Sequence, residues 1–203
     1  MENTSLHIEN QREEGFAVHP KKFIVWILMG SIFMMFGALS SAYIVRKGEG
    51  NWLEFELPSI FTISTALILL SSLTYHLAYL ASKKDDLPKV KMLLGVTLSL
   101  GVAFLVSQYY SWVQLYNYKF LNGFGVVFGG AYSNPAGSFL YVLSGLHAFH
   151  IISGLGFLLA VLILTLKNKI NSKKQLWIEA CGNYWHFLGV LWIYLYIFLI
   201  FNH

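Results

Sequence analysis

Charge is what this sequence has least of. Only 12% of its 203 residues are Asp, Glu, Lys or Arg, against 56% hydrophobic and 17% aromatic. A soluble domain carries about 25% charged residues, so the chain has too little polar surface to fold around one water-soluble core. Cysteine is equally scarce. The single residue, Cys181, excludes an intrachain disulfide framework and a cysteine-built zinc or iron–sulfur site. The polar segment Met1 to Pro20 has neither the basic start nor the apolar centre of a signal peptide, so the first apolar segment is expected to persist as a mature helix. No nucleophile elbow or phosphate-cradling glycine loop is present. Gly123-Phe124-Gly125 and Gly129-Gly130 lack the strand and helix context that nucleotide binding requires, and read as an outer loop. These absences exclude soluble enzymes, disordered chains and secreted disulfide scaffolds.

What is abundant is long apolar sequence, with a mean hydropathy of +0.57. Five segments, about 23–45, 60–80, 92–118, 137–166 and 182–201, contain no Asp, Glu, Lys or Arg. A spanning helix needs about 20 apolar residues and a membrane strand about 9–11. The reading is therefore an all-α, polytopic membrane helix bundle of five transmembrane helices. It follows a polar N-terminal segment at 1–20, with the membrane domain occupying 21–203. The third and fourth segments exceed the bilayer thickness and must tilt or protrude.

The four prolines, Pro20, Pro58, Pro88 and Pro135, each stand at the approach to a span, where a missing N–H costs nothing. Asn134 and Asp86 are natural N-caps beside two of them. Arg12, Lys21, Lys22, Lys83, Lys84, Lys89, Lys91, Lys167, Lys169, Lys173 and Lys174 fall on one side of the predicted topology, and Arg46, Lys47 and Lys119 on the other. The positive-inside rule puts the N-terminus inside and the C-terminus outside. Gly95, Ser99, Ala103, Ser107 and Ser111 recur at steps of four and read as a small-residue stripe for packing within the bundle. Gly156 with Ala160 and Gly37 with Ser41 repeat the spacing. Trp52, Tyr109, Tyr110, Trp112, Trp177, Tyr184 and Trp185 cluster near span ends, as interfacial aromatics do.

An ionisable group inside a span is a functional hypothesis by default. Four histidines qualify: His76, His147, His150 and His186, with Glu179 just before the last span. His147 and His150 are three residues apart and share a helix face. If His76 faced either of them, two imidazoles could ligate a haem, making the chain a membrane haem b electron carrier. A copper or zinc site would lack supporting carboxylates in the spans. Otherwise the histidines hydrogen-bond neighbouring helices or phospholipid headgroups. A small transporter or channel is disfavoured by spans without charge and without paired helix breaks.

The segment Gly137-Ser138-Phe139-Leu140-Tyr141-Val142-Leu143-Ser144-Gly145-Leu146-His147-Ala148-Phe149-His150 resembles the signature helix of haem–copper oxidase subunit III. Tyr184-Trp185-His186-Phe187-Leu188-Gly189-Val190-Leu191-Trp192 resembles the last helix of that family, with Glu179 matching its preceding glutamate. Gln108 and Trp112 resemble its middle-helix pattern. The likeness covers about residues 21–203. It implies the five-helix bacterial form, in the bacterial inner membrane, with no catalytic, cofactor or metal site of its own. It further implies docking on subunit I of a cytochrome c oxidase, with subunit II in the complex and haem and copper in those partners. Phospholipid would be held in a cleft, and the subunit would sustain proton uptake and protect the oxidase during turnover. A quinol oxidase subunit III is the alternative within the family. Under this resemblance His147, His150, Glu179, Trp185 and His186 are the expected lipid-binding or bundle-ordering residues. Two departures stand out. Ile32 occupies the position of the family's buried carboxylate in the first span, and Gly189 that of an acidic residue in the last, which questions a proton-antenna role.

Overall fold

The computed structural model describes residues 20–50, 52, 57–122, 134–167 and 176–202. The N-terminal segment to residue 19 and the glycine loop at 123–130 lie outside them. Five helices are present among the described residues: α1 (Pro20–Gly48), α2 (Ile60–Lys83), α3 (Leu87–Asn122), α4 (Pro135–Leu166) and α5 (Leu176–Asn202). All five are long and apolar enough to cross a membrane. Each exceeds its predicted span by a few residues, because the charged and polar termini continue the helix beyond the apolar stretch. The 36 residues of α3 would run about 54 Å at 1.5 Å per residue, so this helix does extend past the hydrocarbon.

The helix starts follow the local chemistry of the sequence. Pro135 occupies the first turn of α4, and the Asn134 side chain caps it by accepting from the Ala136 N–H at 3.0 Å. Asp86 stands immediately before α3. Its carboxylate lies 2.6 Å from Lys89 Nζ and accepts weakly from the Lys89 N–H at 3.4 Å. The Lys89 hydrogen bond holds the Asp86 carboxyl below its ordinary range.

Buried positions of four helices repeat at alternating steps of three and four; in α4 they are Gly137, Leu140, Ser144, His147, Ile151, Gly154, Leu158, Val161 and Thr165. In α2 they are Phe61, Ser64, Ile68, Ser71, Tyr75, Ala78 and Ser82. In α3 they are Val90, Leu94, Thr97, Gly101, Phe104, Gln108, Ser111 and Leu115. In α5 the sequence Ile178, Cys181, Trp185, Leu188, Trp192, Leu195, Leu199 does the same. A 3.5-residue repeat is the seam of left-handed helix packing, the commoner class in membranes. The expected stripe at steps of four is corrected by this pattern. Steps of four drift by about 40° per step around a helix. Ser111 is therefore buried and Ser107 meets α2, while Ser99 faces outward. The small residue at the closest approach is Gly101, which lies on the 3.5-residue seam instead.

The helices α2, α3, α4 and α5 form a closed ring in which each touches the next and α5 returns to α2, while α1 lies against α4 and α5. Hydroxyl pairs fix the register. Ser64 meets Ser107 at 2.7 Å and Thr74 meets Thr97 at 2.8 Å, ten residues further along α2 and ten back along α3, so the two are antiparallel. The α2–α5 seam carries more bridges. Trp192 Nε1 donates to Thr65 Oγ1 at 3.0 Å, Trp185 Nε1 to Ser71 Oγ at 2.9 Å, and Tyr75 Oη to the Ile178 carbonyl at 2.7 Å. Thr62 and Tyr196 hydroxyls meet at 2.7 Å. By contrast α1 runs parallel to α5 and is clamped at both ends. Lys22 Nζ lies 2.7 Å from Glu179 at one end. At the other, Tyr43 Oη and Lys47 Nζ donate to the Asn202 carbonyl at 2.8 and 2.9 Å. Both clamps follow the helix dipole of α5, an anion in its first turn and a cation on a carbonyl of its last. This topology brings Lys22, Lys83, Lys89, Lys91 and Lys167 to one end of the bundle and Arg46 and Lys47 to the other.

Trp185 and Trp192, one heptad apart, fill the ring. An ideal Cβ on Gly101 of α3 would lie 2.8 Å from Trp185 Cη2, and one on Gly154 of α4 would lie 3.2 Å from Trp185 Cε3. Both glycines leave room for that indole and for a leucine beside it, Leu155 at Gly101 and Leu188 at Gly154. Gly101→Ala should therefore destabilise the protein by about 1–3 kcal/mol through overpacking. Gly95→Ala, where a Cβ meets nothing within 4 Å, should be neutral or slightly stabilising. The thermal midpoints of the two variants after extraction from the membrane measure the difference.

Candidate functional site

The five expected site residues fall into two separate groups. Trp185 stands between them, belonging to the core already described.

The first group sits midway along α4. His147 is on the buried seam and fully enclosed. Its imidazole is ringed by Phe36 of α1 at 6.4 Å, Phe104 of α3 at 5.9 Å and Trp192 of α5 at 5.1 Å between centroids. Neither ring nitrogen has a hydrogen-bond partner among the described residues. Gln108 of α3 is in the same condition, with both amide atoms buried and unpartnered. The two occupy similar depth. The Trp112 Nε1 bond to Ser144 Oγ at 3.0 Å ties α3 to α4, and Gln108 and His147 each lie one turn beyond it in the same direction. His150 is off the seam and half-buried. Its Nδ1 faces the Leu146 carbonyl of its own helix at 2.7 Å, and a carbonyl can only accept, so that nitrogen carries the proton. Phe36 lies edge-on to His150 at 5.9 Å.

The second group lies at the lysine-rich end, between α2 and α5. A cavity of about 240 Å³ is lined by His76, Tyr79, Glu179, Asn183 and His186, with Tyr75 as its floor. The cavity has a local origin. Gly182 has no side chain, and a Cβ there would come within 2.7 Å of Tyr75 Cε1. Tyr75 therefore packs close against α5, with its hydroxyl on the Ile178 carbonyl. His186 Nδ1 faces Ser72 Oγ at 2.5 Å, which leaves Nε2 for the cavity. The His76 ring is 6.2 Å from the His186 ring. Glu179 borders the cavity but is engaged by Lys22. Lys83 Nζ sits over the Tyr79 ring at 4.5 Å.

This geometry bears on the haem alternative. His76 is paired with His186 near the end of the bundle, while His147 is enclosed by aromatic rings at its middle. The facing of His76 with His147 or His150 that a haem would need is not formed. Among the described residues, no three of His, Cys, Asp and Glu converge as metal ligands do. The positions of the two expected carboxylates are apolar as well as uncharged. Ile32 is buried against the core, and a Cβ on Gly189 would sit 3.8 Å from Ile68.

The residues that sequence reasoning missed are the small ones: Gly101, Gly154 and Gly182, the acceptors Thr65 and Ser71, and Ser72 beside His186. A readable signal existed for some of them, since Ser64, Ser71 and Gly101 stand on the 3.5-residue repeats of α2 and α3.

Comparison with known proteins converges on one family. The family described as "Cytochrome c oxidase subunit III" matches residues 53–202, which take in all of α2 to α5. Among individual relatives, "Cytochrome c oxidase subunit 3" of Thermostichus vulcanus is 27% identical over 208 residues, covering 98% of this chain and 94% of the relative. The protein of the same name from Bacillus subtilis (strain 168) is 28% identical, covering 84% of this chain and 81% of its own length. "Cytochrome bo(3) ubiquinol oxidase subunit 3" of Buchnera aphidicola is 26% identical, with 98% and 95% covered. With five membrane-spanning helices and a match over most of its length, the chain belongs to the cytochrome c oxidase subunit III family, as a multi-pass protein of the bacterial inner membrane.

Proposed function

We propose that the chain is the non-catalytic subunit III of a cytochrome c oxidase, docked on the haem- and copper-bearing subunit I with subunit II as a further neighbour. The observation that carries this reading is the state of its intramembrane polar residues. His186 is tied to Ser72, His150 to its own helix and Glu179 to Lys22, while His147 is sealed among three rings. These contacts bind each of the four to the bundle itself, and the described spans supply no carboxylate relay. The lysine-rich end faces the cytoplasm, by the positive-inside rule. The chain keeps subunit I in a fixed lipid setting by holding phospholipid, and so sustains proton uptake and preserves the oxidase through repeated turnover.

The Buchnera relative supports a second reading, in which the same subunit serves a quinol oxidase. Affinity purification through this chain separates the two. Subunit I should co-purify, and the complex should oxidise reduced cytochrome c. Oxidation of quinol alone would select the second reading, and purification free of any haem–copper subunit would reject both.

The stabilising role has its own test in the complex. His147→Leu should leave the initial rate of O2 reduction within about twofold, under ~0.5 kcal/mol of transition-state free energy, while shortening the active lifetime during turnover. A variant that assembles normally but loses initial rate and lifetime equally would show a direct part in the chemistry.

A further inference from the structure

We infer that an internal water molecule is bound at the middle of the bundle, bridging Gln108 of α3 and His147 of α4.

The helix register sets the two side chains together. Trp112 of α3 donates to Ser144 of α4 at 3.0 Å. Eleven residues back along α3, a Cβ on Gly101 would lie 2.7 Å from Leu155, eleven residues on along α4. Between these two points the antiparallel register sets Gln108 opposite Ala148, the neighbour of His147. Phe104, one turn from Gln108 on α3, is in ring contact with His147 at 5.9 Å. Both Gln108 and His147 are enclosed by the bundle. Ser111, Ser144 and Ala148 keep neighbouring buried positions of the two helices small.

The chemistry of the two residues selects the ligand. Nδ1 and Nε2 of His147 and Oε1 and Nε2 of Gln108 are all buried with no hydrogen-bond partner among the described residues. A polar group buried unpaired costs more than a made hydrogen bond contributes. The amide has two N–H bonds to give and an oxygen to accept. A neutral imidazole, in either tautomer, has one nitrogen of each kind. The groups around them do not meet these needs. The Trp192 N–H goes to Thr65 and the Trp112 N–H to Ser144. The rings of Phe36 and Phe104 receive an N–H only weakly, and they offer no donor to the accepting nitrogen. A metal cation would use lone pairs alone, and an anion N–H groups alone. The occupant must give and accept hydrogen bonds at once, and it must be small enough to lie beside three aromatic rings. Water meets both conditions, and a buried water makes about three hydrogen bonds to polar groups of this sort. The bridge ties α3 to α4 at a second level, next to the Trp112–Ser144 bond.

The test uses the intact purified complex that contains this chain. Cryo-electron microscopy, at a resolution that shows ordered water, should reveal a density peak about 2.7–3.2 Å from both side chains. The peak should be lost in Gln108→Leu. Gln108→Leu and His147→Leu should each lower the thermal midpoint by about 2–4 °C, since each leaves the other residue buried without its partner. The double variant removes both needs at once, so its midpoint should lie closer to the parent than that of either single variant. Absence of the peak in the parent complex would overturn the inference, whether the two side chains then bond directly or stand apart. Losses that add in the double variant would overturn the bridge as well. If the variants do not assemble, the density in the parent complex decides alone.

Discussion

Two indole rings on one helix hold this bundle to a single arrangement. In hydrocarbon, apolar packing gains nothing over contact with lipid, so helices associate through close fit and through hydrogen bonds that would otherwise go unmade. Trp185 and Trp192 of α5 supply both. Each reaches across the ring to a hydroxyl of α2, at Ser71 and Thr65. The Trp185 ring lies close against Gly101 and Gly154, 2.8 and 3.2 Å from where their Cβ atoms would be, and Trp192 packs on Phe61, Phe104 and His147. One helix is thereby in register with three others. The hydroxyl pairs of α2 and α3 and the end clamps of α1 add to an arrangement that the tryptophans already define.

The same constraint explains why the polar residues of the spans separate into two groups. His147 occupies a seam position and must be buried, so it packs as an aromatic ring. His186 is one residue after Trp185 on α5 and turns out of the seam towards α2, where Ser72 meets it. A cavity opens beside it, where Gly182 lets Tyr75 pack close against α5. The site chemistry is a consequence of where the seam passes, and this is consistent with a subunit whose task is to hold a partner and its lipid.

The sequence was most legible where one signal sufficed. Charge-free length located all five helices, Asn134 and Asp86 announced two starts, and the motifs around His147 and His186 pointed to the family. It was less legible where two helices must be known at once. Gly101 reads as one glycine among many until Trp185 is seen against it, and Ser71 and Thr65 look like ordinary span hydroxyls. The stripe from Gly95 to Ser111 misled because a spacing of four keeps neighbours on one face only for a turn or two. Pairing of His76 with His186 required the α2–α5 register, which resides in side-chain bridges scattered over both helices.

The measurement that bears most directly on this account compares two tryptophans of α5 in the assembled protein. Trp185 is buried and Trp177, in the first turn, is 43% exposed. Trp185→Ala should cost about 3–5 kcal/mol of stability, the range for truncating a large core aromatic, while Trp177→Ala should change it little. Equal, small losses for both would show that the bundle does not depend on the indole at its centre.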